Sequence, residues 1–333
     1  MKTWISISTA VIVLAAFSCT TDAGFSNSNT YPGIDFREKM RTLVIEIADY
    51  AHLDEPDFFV IPQNGQELLT TDGEADGPPA SEYIAAIDGV GREDLYYGYS
   101  ADNLATPTGE TAYMEEYLLL AEREGIEVLV TDYCSTHSYM DDSYRRAADR
   151  GFVSFAAERR DLDTVPFYPP SPYGGHTGAV ENLGDVRNFL YLINPSRYVD
   201  GAVLISALSP TEYDLFVVDL FAEDGTALTS AEVTALQVKP SGERRLVIAY
   251  MSIGEAEEYR YYWNDLTGSG LPPWILEENP DWDGNYKVEY WDPEWKAILF
   301  GTDSAYLDRI IAAGFDGVYL DIIDGFEYFE EFN

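Results

Sequence analysis

The apolar residues of this chain follow two alternating patterns. Around residues 35–52 apolar side chains recur three or four positions apart, which predicts a helix with one buried face. The next apolar run, FFVIP at 58–62, is short and continuous, as in a strand that is buried on both faces. The alternation continues along the rest of the chain, which favours βαβ units arranged around a parallel sheet.

The patterns predict eight strands separated by helices. The predicted strands are 58–62, 83–87, 126–132, 152–156, 189–193, 215–219, 246–251 and the closing run GVYLDIID at 317–324. The predicted helices are 35–52, 112–124, 139–149, 231–238 and 304–313. Because eight strands alternating with helices form a closed (β/α)8 barrel, we predict an α/β fold with a single TIM barrel. A doubly wound pair of domains is the alternative, but no GxGxxG or Walker sequence supports nucleotide binding.

Three segments lie outside this alternation. Residues 1–19, MKTWISISTAVIVLAAFSC, combine one Lys, a short apolar run and a Cys, as in a lipoprotein-type signal peptide. We therefore expect lipidation at Cys19 and a secreted protein that is anchored by acyl chains to a bacterial cell envelope. We predict that residues 20–33 form a polar tether and that residues 34–333 form the barrel. Within the barrel, the Pro- and Gly-rich residues 163–185 are predicted to be a connector. Cys134 is then left without a partner, so no disulfide is expected.

The charge of the chain excludes one class of function. It has 59 acidic residues against 20 basic ones, a net charge of −39 and only five Lys. Nucleic-acid binding is not expected, because phosphate contacts need a basic face. Two explanations of the charge stay open. One is attraction of a cationic substrate, and the other is adaptation to a salty medium, whose ions screen the repulsion between the acidic groups.

The second explanation predicts a strong dependence of stability on salt. We expect the melting temperature to rise as KCl or NaCl is raised from about 0.1 M to 1 M, because the screening length falls from about 10 Å to about 3 Å. Thermal unfolding followed by circular dichroism across a salt series measures this. A flat response would contradict halophilic adaptation and leave attraction of a cationic substrate as the explanation.

Polar residues follow the predicted strands, at the end of a barrel where active sites lie. They are Gln63, Asn64, Asp88, Glu93, Asp132, Tyr133, Glu158, Asn194, Asp219, Glu255, Asp321 and Asp324. The three histidines form no HxH or HExxH spacing, so we expect neither zinc chemistry nor a Ser-His-Asp triad, and no metal or cofactor. Carboxylates together with aromatic residues are the residue set of glycoside hydrolysis.

Five long motifs point to one family. They are FFVIPQNGQELL (58–69), IDGVGREDLYYG (87–98), AYMSIGEAEEYRYYW (249–263), PPWILEENPDWDGNYKVEYWDPEW (272–295) and GFDGVYLDIIDGFEYFE (314–330). These motifs resemble those of glycoside hydrolase family 114, the glycosidases related to endo-α-1,4-polygalactosaminidase. The resemblance implies a TIM barrel and hydrolysis of an α-linked, amino-sugar-containing polysaccharide.

The order of the motifs differs from that of the family. In relatives a segment like NFLYLIN opens the barrel and the YLDIID strand is the fourth, whereas here YLDIID closes the chain. The resemblance therefore implies a circularly permuted barrel with the family strands in the order 5-6-7-8-1-2-3-4. Such a barrel is closed by pairing of the last strand with the first, so we expect Phe332 to lie close to Phe36.

The resemblance also implies roles for individual residues. Asp321 matches the family's nucleophile and Glu93 its acid/base, and Asp324 or Glu255 is the alternative acid. Retaining chemistry needs the two carboxyl groups about 5–5.5 Å apart. Substrate contacts are expected at Asp219, Glu255, Asn64, Asp132, Tyr133, Asp324, Trp263 and Trp291, with Trp282 as a further candidate for stacking on a sugar.

We thus predict a monomeric, endo-acting, retaining glycoside hydrolase whose partner is a polysaccharide substrate and whose only membrane contact is the lipid anchor. The alternative is a non-catalytic carbohydrate-binding barrel on the cell surface. The two predictions differ in whether the carboxyl pair performs chemistry or only lines a binding site.

Overall fold

A computed structural model describes residues 31–176, 178–268 and 270–331. The predicted signal peptide with Cys19 and most of the predicted tether lie outside the described residues. Phe332 does as well, so its predicted proximity to Phe36 stays a prediction. Within the described ranges no helix is both long and apolar enough to cross a membrane.

Strands and helices alternate along the chain. In the described ranges the strands are β1 (Phe59–Pro62), β2 (Gly89–Glu93), β3 (Glu127–Tyr133), β4 (Val153–Ala157), β5 (Phe189–Leu192), β6 (Leu215–Asp219), β7 (Leu246–Ser252), β8 (Glu255–Glu257), β9 (Ile275–Glu278), β10 (Asn285–Val288) and β11 (Gly317–Asp321). The helices are α1 (Phe36–Asp54), α2 (Ser81–Ala85), α3 (Thr108–Arg123), α4 (His137–Arg150), α5 (Gly201–Leu208), α6 (Ser230–Leu236), α7 (Trp263–Thr267), α8 (Pro293–Leu299), α9 (Tyr306–Ala313) and α10 (Gly325–Glu330).

Eight of these strands run parallel to their neighbours in two sheets. One sheet has the order β1-β11-β7-β6-β5 and the other the order β2-β3-β4. The amide of Asn64, just beyond β1, donates to the carbonyl of Gly91 in β2 at 2.8 Å, and this bond links the two sheets. At the other junction, the rings of Phe155 in β4 and Phe189 in β5 lie 5.8 Å apart. The mixed α/β class is confirmed, and the arrangement is compatible with a TIM-like barrel.

The last described strand lies beside the first. β11 pairs in parallel with β1 on one side and with β7 on the other. Outside the sheet, the ring of Phe329 in α10 stacks on that of Phe36 in α1 at 5.3 Å. Next to it, Arg37 Nε donates to Glu330 Oε1 at 2.8 Å. These contacts are compatible with a permuted barrel, whose strand order stays a prediction.

One predicted strand is wrong. Residues 83–87 were expected to form a strand, but they fall in and just after helix α2, and the strand of this region is β2. A short apolar run such as YIAAI is compatible with either a strand or a short helix. The true strand, β2, was not recognised because two of its five residues are glycines, which add nothing to an apolar run. Gly91 is needed there because an added Cβ would lie 1.9 Å from the hydroxyl of Tyr319. The other seven predicted strands overlap observed ones.

A small antiparallel sheet was not predicted. It has the order β8-β10-β9 and follows β7 in the chain. Its strands, EAE, ILEE and NYKV, are three or four residues long and contain no more than two consecutive apolar residues, so they lack the apolar runs from which the other strands were predicted. The sheet lies at the carboxyl end of β7, where the polar residues of the candidate site begin.

Gly317→Ala is expected to destabilise the fold. A Cβ at this position would lie 2.3 Å from the carbonyl oxygen of Phe59, and β11 is held between β1 and β7. We expect a loss of about 1–3 kcal/mol in the free energy of unfolding, measured with urea. Gly109→Ala is the matched control, because nothing lies within 4 Å of its added Cβ in α3. The control should be stabilised by roughly 0.5–1 kcal/mol, and equal stability of the two variants would contradict the described packing.

Candidate active site

Asp321 and Glu93 occupy equivalent positions, as the last residues of β11 and β2. Only β1 lies between these strands, so both side chains are presented at the same edge of the parallel strands. Burial raises the pKa of Asp321 to about 8, and the negative charge of nearby Glu93 is the second cause. The two carboxyl groups are therefore close enough to interact electrostatically. Their separation of about 5–5.5 Å stays a prediction.

The position of Glu93 corrects the sequence interpretation. It was expected on a loop beyond the strand 83–87, but it ends β2 itself. Its backbone is therefore held by pairing with Thr131 of β3. A carboxyl group on a paired strand is placed more rigidly than one on a loop, which suits a reacting group.

Each carboxyl group accepts a hydrogen bond from a tyrosine of the strand on its outer side. Tyr250 of β7 donates to Asp321 Oδ2 at 2.6 Å. Tyr133 of β3 donates to Glu93 Oε1. Asn64 Nδ2 donates to Glu93 Oε2 at 3.4 Å. The structure thus brings the predicted residues Asn64 and Tyr133 to Glu93.

Tyr250 was missed in the sequence, although its position holds a clue. Side chains alternate between the two faces of a strand, so Tyr250 and Ser252 share a face of β7. In the observed register Tyr250 lies opposite Tyr319 and Ser252 lies opposite Asp321. The alternation of side chains thus places Tyr250 on the same face of the sheet as Asp321. This inference requires the pairing of β7 with β11, which the sequence does not give.

The backbone turns sharply where the site strands end. Asn64, Asp94 and Ile322 have φ values of 62°, 59° and 60°, although none of them is glycine. A β-branched residue such as Ile322 rarely adopts this conformation, which costs on the order of 1–3 kcal/mol. Room for the turn comes from Gly254, where an added Cβ would lie 2.3 Å from the carbonyl oxygen of Ile322. Backbone strain of this kind is concentrated at the active sites of proteins.

Asp324 lies just before helix α10 and belongs to the same site. Burial raises its pKa to about 6, Arg92 acts in the opposite direction, and Glu93 raises it further. Arg92 Nη1 in turn donates to Gln66 Oε1 at 3.0 Å. Asp324 is half-buried and within the electrostatic reach of Glu93, so its role as the alternative acid stays open.

Glu255 has internal partners for both of its carboxylate oxygens. Oε1 accepts from Asn279 Nδ2 at 2.7 Å and from Lys287 Nζ at 3.3 Å. Oε2 accepts from Asn285 Nδ2 at 3.4 Å. The side chain is buried and links β8 to β10 and to Asn279, which directly follows β9. It therefore holds that sheet in place, and a direct contact with substrate stays a prediction.

Asp219 is also engaged within the protein. Its two oxygens accept from Arg260 Nη1 at 2.9 and 2.8 Å. Arg260 Nε donates to Glu257 Oε2 at 2.5 Å, and all three side chains are buried. Burial raises the pKa of Asp219, while the guanidinium of Arg260 opposes this shift. The predicted substrate-binding carboxylate is thus part of a buried ion group.

Asp132 is fully buried and holds the loop that follows β2. Its Oδ1 accepts from the amides of Tyr96 and Tyr97 at 2.8 and 3.1 Å. Its Oδ2 accepts from the hydroxyl of Ser143 in α4 at 2.6 Å. The carboxylate therefore holds the loop after β2 in place next to α4. A contact between Asp132 and substrate stays a prediction.

Two of the three tryptophans predicted to stack on a sugar, Trp263 and Trp291, pack within the protein. Trp263 stacks on Tyr286 of β10 with 4.9 Å between ring centroids. Trp291 packs against Phe36 at 5.3 Å and against Phe329 at 4.7 Å. In contrast, 53% of Trp282 is exposed, in the segment between β9 and β10. Trp282 is thus the tryptophan with the most ring surface available to a ligand among these three.

No group of three or more His, Cys, Asp or Glu side chains within the described ranges is arranged to hold a metal ion. The expectation that the protein needs no metal stays a prediction. The chemistry that the described site supports is proton transfer and nucleophilic attack by carboxyl groups.

Comparison with known families agrees with this residue set. Residues 202–333 match the sequence model of glycoside-hydrolase family GH114. Over this segment the chain is similar to family GH114. The GH114 segment contains β6 to β11 and supplies Asp321, Tyr250 and Asp324, whereas Glu93 and Tyr133 lie outside it. The resemblance drawn from the motifs is confirmed for this part of the chain.

Relatives of the chain occur in distant organisms. It is 42% identical over 164 residues to an uncharacterized protein of Deinococcus radiodurans, which is 49% of this chain and 47% of the relative. It is 44% identical over 128 residues to an uncharacterized protein of Methanocaldococcus jannaschii, 38% of this chain and 35% of the relative. It is 42% identical over 145 residues to an uncharacterized protein of Thermotoga maritima, 43% of this chain and 41% of the relative. The chain spans less than half of the length of each of these curated relatives.

Proposed function

We propose that the protein is an endo-acting, retaining glycoside hydrolase that cleaves an α-linked, amino-sugar-containing polysaccharide. The observation that carries this proposal is the pair of electrostatically coupled carboxyl groups, Asp321 and Glu93, at the carboxyl ends of β11 and β2. Their surroundings hold each in place through a tyrosine. The GH114 segment, which includes Asp321, supports glycoside hydrolysis as the reaction class.

Retaining hydrolysis proceeds in two steps at such a pair. In the first, the ionised carboxylate of Asp321 attacks the anomeric carbon while the protonated carboxyl of Glu93 gives its proton to the leaving oxygen. In the second, Glu93 takes a proton from water, whose oxygen displaces Asp321 from the sugar. The two carboxyl groups thus need one proton between them, and close like charges favour such a singly protonated pair.

The raised pKa of Asp321 favours a cationic substrate. In the free protein near neutral pH, a pKa of about 8 keeps the proton on Asp321, which is then a poor nucleophile. An ammonium group of an amino sugar bound nearby would stabilise the ionised form of Asp321 and leave the proton to Glu93. Asp324 adds another acidic group to the same site, and the net charge of −39 attracts cations over a longer range.

We also propose that the eight parallel strands close into a permuted barrel. Three contacts support closure. β11 pairs with β1, the amide of Asn64 after β1 donates to Gly91 in β2, and Phe155 in β4 contacts Phe189 in β5. The protein is further proposed to act as a lipid-anchored monomer at the cell envelope, as the residues around Cys19 suggest.

Digestion of a glycan panel tests the proposed function. Partly deacetylated galactosaminoglycan, chitosan and neutral α-glucans are incubated with the protein, and chain lengths are followed by size-exclusion chromatography. A rapid fall in chain length indicates endo-cleavage of the amino-sugar polymer, and early appearance of the α-anomer by proton NMR indicates retention. Saccharide binding without hydrolysis of any polymer would instead support the carbohydrate-binding alternative.

A further inference from the structure

The two tyrosines at the carboxyl pair are arranged in a similar way on opposite sides. Tyr250 is on β7, which pairs with β11, the strand of Asp321. Tyr133 is on β3, which pairs with β2, the strand of Glu93. Both tyrosines are more than nine-tenths buried, so their hydroxyl groups have little access to water as an alternative partner. A buried hydroxyl that donates to a carboxylate fixes the rotamer of that carboxylate.

The two hydrogen bonds differ in their surroundings. The guanidinium carbon of Arg160 lies 3.9 Å from the centre of the Tyr133 ring. A cation over the ring draws electron density from the phenol and makes its hydroxyl a stronger donor to Glu93. Arg260 lies farther from Tyr250, at 6.0 Å from the ring centre, and is already paired with Asp219 and Glu257. Glu93 also accepts from Asn64, so it has two side-chain donors.

We propose that Tyr250 and Tyr133 are positioning residues for the reaction, with Tyr250 holding Asp321 and Tyr133 holding Glu93 in the orientation that catalysis requires. The kinetic part of this inference rests on the proposed function. The structural part does not, because the hydrogen bonds exist in the protein without substrate. Since a phenol donates better to an ionised carboxylate than to a neutral one, Tyr250 favours ionisation of Asp321, the form that attacks the sugar.

Other charged and titratable groups act on the same carboxyls, and they stay in place when a tyrosine is changed to phenylalanine. Asp321 faces Glu93 and Asp324, and the buried phenols of Tyr191 in β5 and Tyr319 in β11 also lie within its electrostatic reach. These groups supply a constant background against which the loss of one hydroxyl can be measured.

On the side of Glu93, the neighbouring groups are Asp94, Asp324, and Arg160, which pairs with Asp94 at 2.8 Å. Arg92 precedes Glu93 in β2 and acts electrostatically on Asp324. Tyr133→Phe removes a hydroxyl but leaves the ring beneath Arg160, so that the salt bridge and the packing are kept.

Carboxyl titration by NMR tests the structural part without any substrate. Protein labelled with ¹³C at the Asp and Glu carboxyl carbons is titrated, and the signals are assigned by their loss in Asp321→Asn and Glu93→Gln. We expect Tyr250→Phe to raise the midpoint of Asp321 by roughly 0.5–1 pH unit, because the hydrogen bond from Tyr250 lowers the pKa of Asp321. Tyr133→Phe should move the midpoint of Asp321 less.

Kinetics test the catalytic part on a polymer that the wild-type protein cleaves. Each variant should lose roughly tenfold to a hundredfold in kcat while KM changes less than about threefold, because a misplaced carboxyl slows the chemical step more than binding. In the pH profile of kcat/KM, Tyr250→Phe should move the limb set by Asp321 to higher pH.

Tyr290→Phe is the matched control. The Tyr290 hydroxyl is buried and donates to the carbonyl of Phe36 at 2.8 Å, so its loss costs a buried hydrogen bond outside the carboxyl pair. This variant should lose stability but keep the Asp321 midpoint and kcat. An unchanged Asp321 midpoint in Tyr250→Phe, or an unchanged kcat in either tyrosine variant, would overturn the inference. If no polymer is cleaved by the wild type, the proposed function fails, whereas the Asp321 midpoint still decides whether Tyr250 acts on its carboxyl group.

Discussion

Asp321→Asn is expected to lower turnover of the cleaved polymer by two to four orders of magnitude, because an amide neither attacks the anomeric carbon nor exchanges a proton (roughly 10²–10⁴-fold). Glu93→Gln should have an effect of the same size, since the leaving oxygen then receives no proton from the protein. Turnover is measured as the initial rate at which new reducing ends form at a saturating concentration of polymer. Binding of the polymer, measured by calorimetry, should be kept in both variants.

A matched control separates the loss of chemistry from a loss of charge. Asp303→Asn makes the same chemical change at an exposed position and should keep full turnover. If Asp321→Asn retains more than about a tenth of the wild-type rate, Asp321 is not the nucleophile. If only Glu93→Gln retains activity, the acid is to be sought at Asp324 or Glu255.

Stability measurements show whether Asp321→Asn stays folded. The pKa of Asp321 is about 8 in the folded protein and lies near its ordinary value of 3.8 in the unfolded chain. Between these values the folded protein binds more protons than the unfolded chain, so this group makes stability fall as the pH rises from about 4 to about 8. The Asn variant lacks this fall. Its melting temperature at pH 8 should therefore be at least that of the wild type.

Arg260→Met is expected to cause the largest loss of stability. The change leaves the buried carboxylates of Asp219 and Glu257 without their shared cation, which lies 2.8 and 2.5 Å from them. Removing one member of a buried ion group costs about 3–5 kcal/mol. We expect a loss of this order in the free energy of unfolding at pH 7, measured with urea.

The pH dependence of Arg260→Met has a definite sign. Without the guanidinium, nothing opposes the effect of burial, so the folded-state pKa of Asp219 should rise further above its value in the unfolded chain and stability is lost as the pH rises. The deficit relative to wild type should thus be smaller at pH 5 than at pH 8. Arg145→Met is the control, because Arg145 pairs with Asp142 and Asp149 on an exposed helix face and should show no measurable change. A stable Arg260→Met variant would contradict the proposed importance of the ion group.

Long apolar runs made the parallel strands predictable, and the exceptions have physical causes. β6 and β11 read as continuous buried runs and were found within a few residues. β2 was missed because its two glycines carry no hydrophobic side chain. The antiparallel sheet was missed because the short strand β8, EAE, is buried through polar contacts of Glu255 rather than through apolar residues.

The candidate site was predictable as a set of residues but not as a set of roles. Carboxylates at strand ends look alike in a sequence, whether they face a ligand or an internal partner. Asp219 was read as a substrate contact because Arg260, its partner, is 41 positions away. Tyr250 was missed for the converse reason, since its contact with Asp321 depends on a pairing across 71 positions.

The neighbourhood of β1 and β11 has a consequence for how the chain folds. Phe59 and Gly317 pair although they are more than 250 positions apart. During synthesis, therefore, β1 is made long before β11, the strand that pairs with one of its edges. Helix α1 is likewise made long before α10, the helix that packs against it. An open strand edge invites pairing with other chains. Late pairing of this kind also slows folding, because a long loop has to close first. Refolding should accordingly be slow and sensitive to protein concentration, with the last twenty described residues completing the sheet.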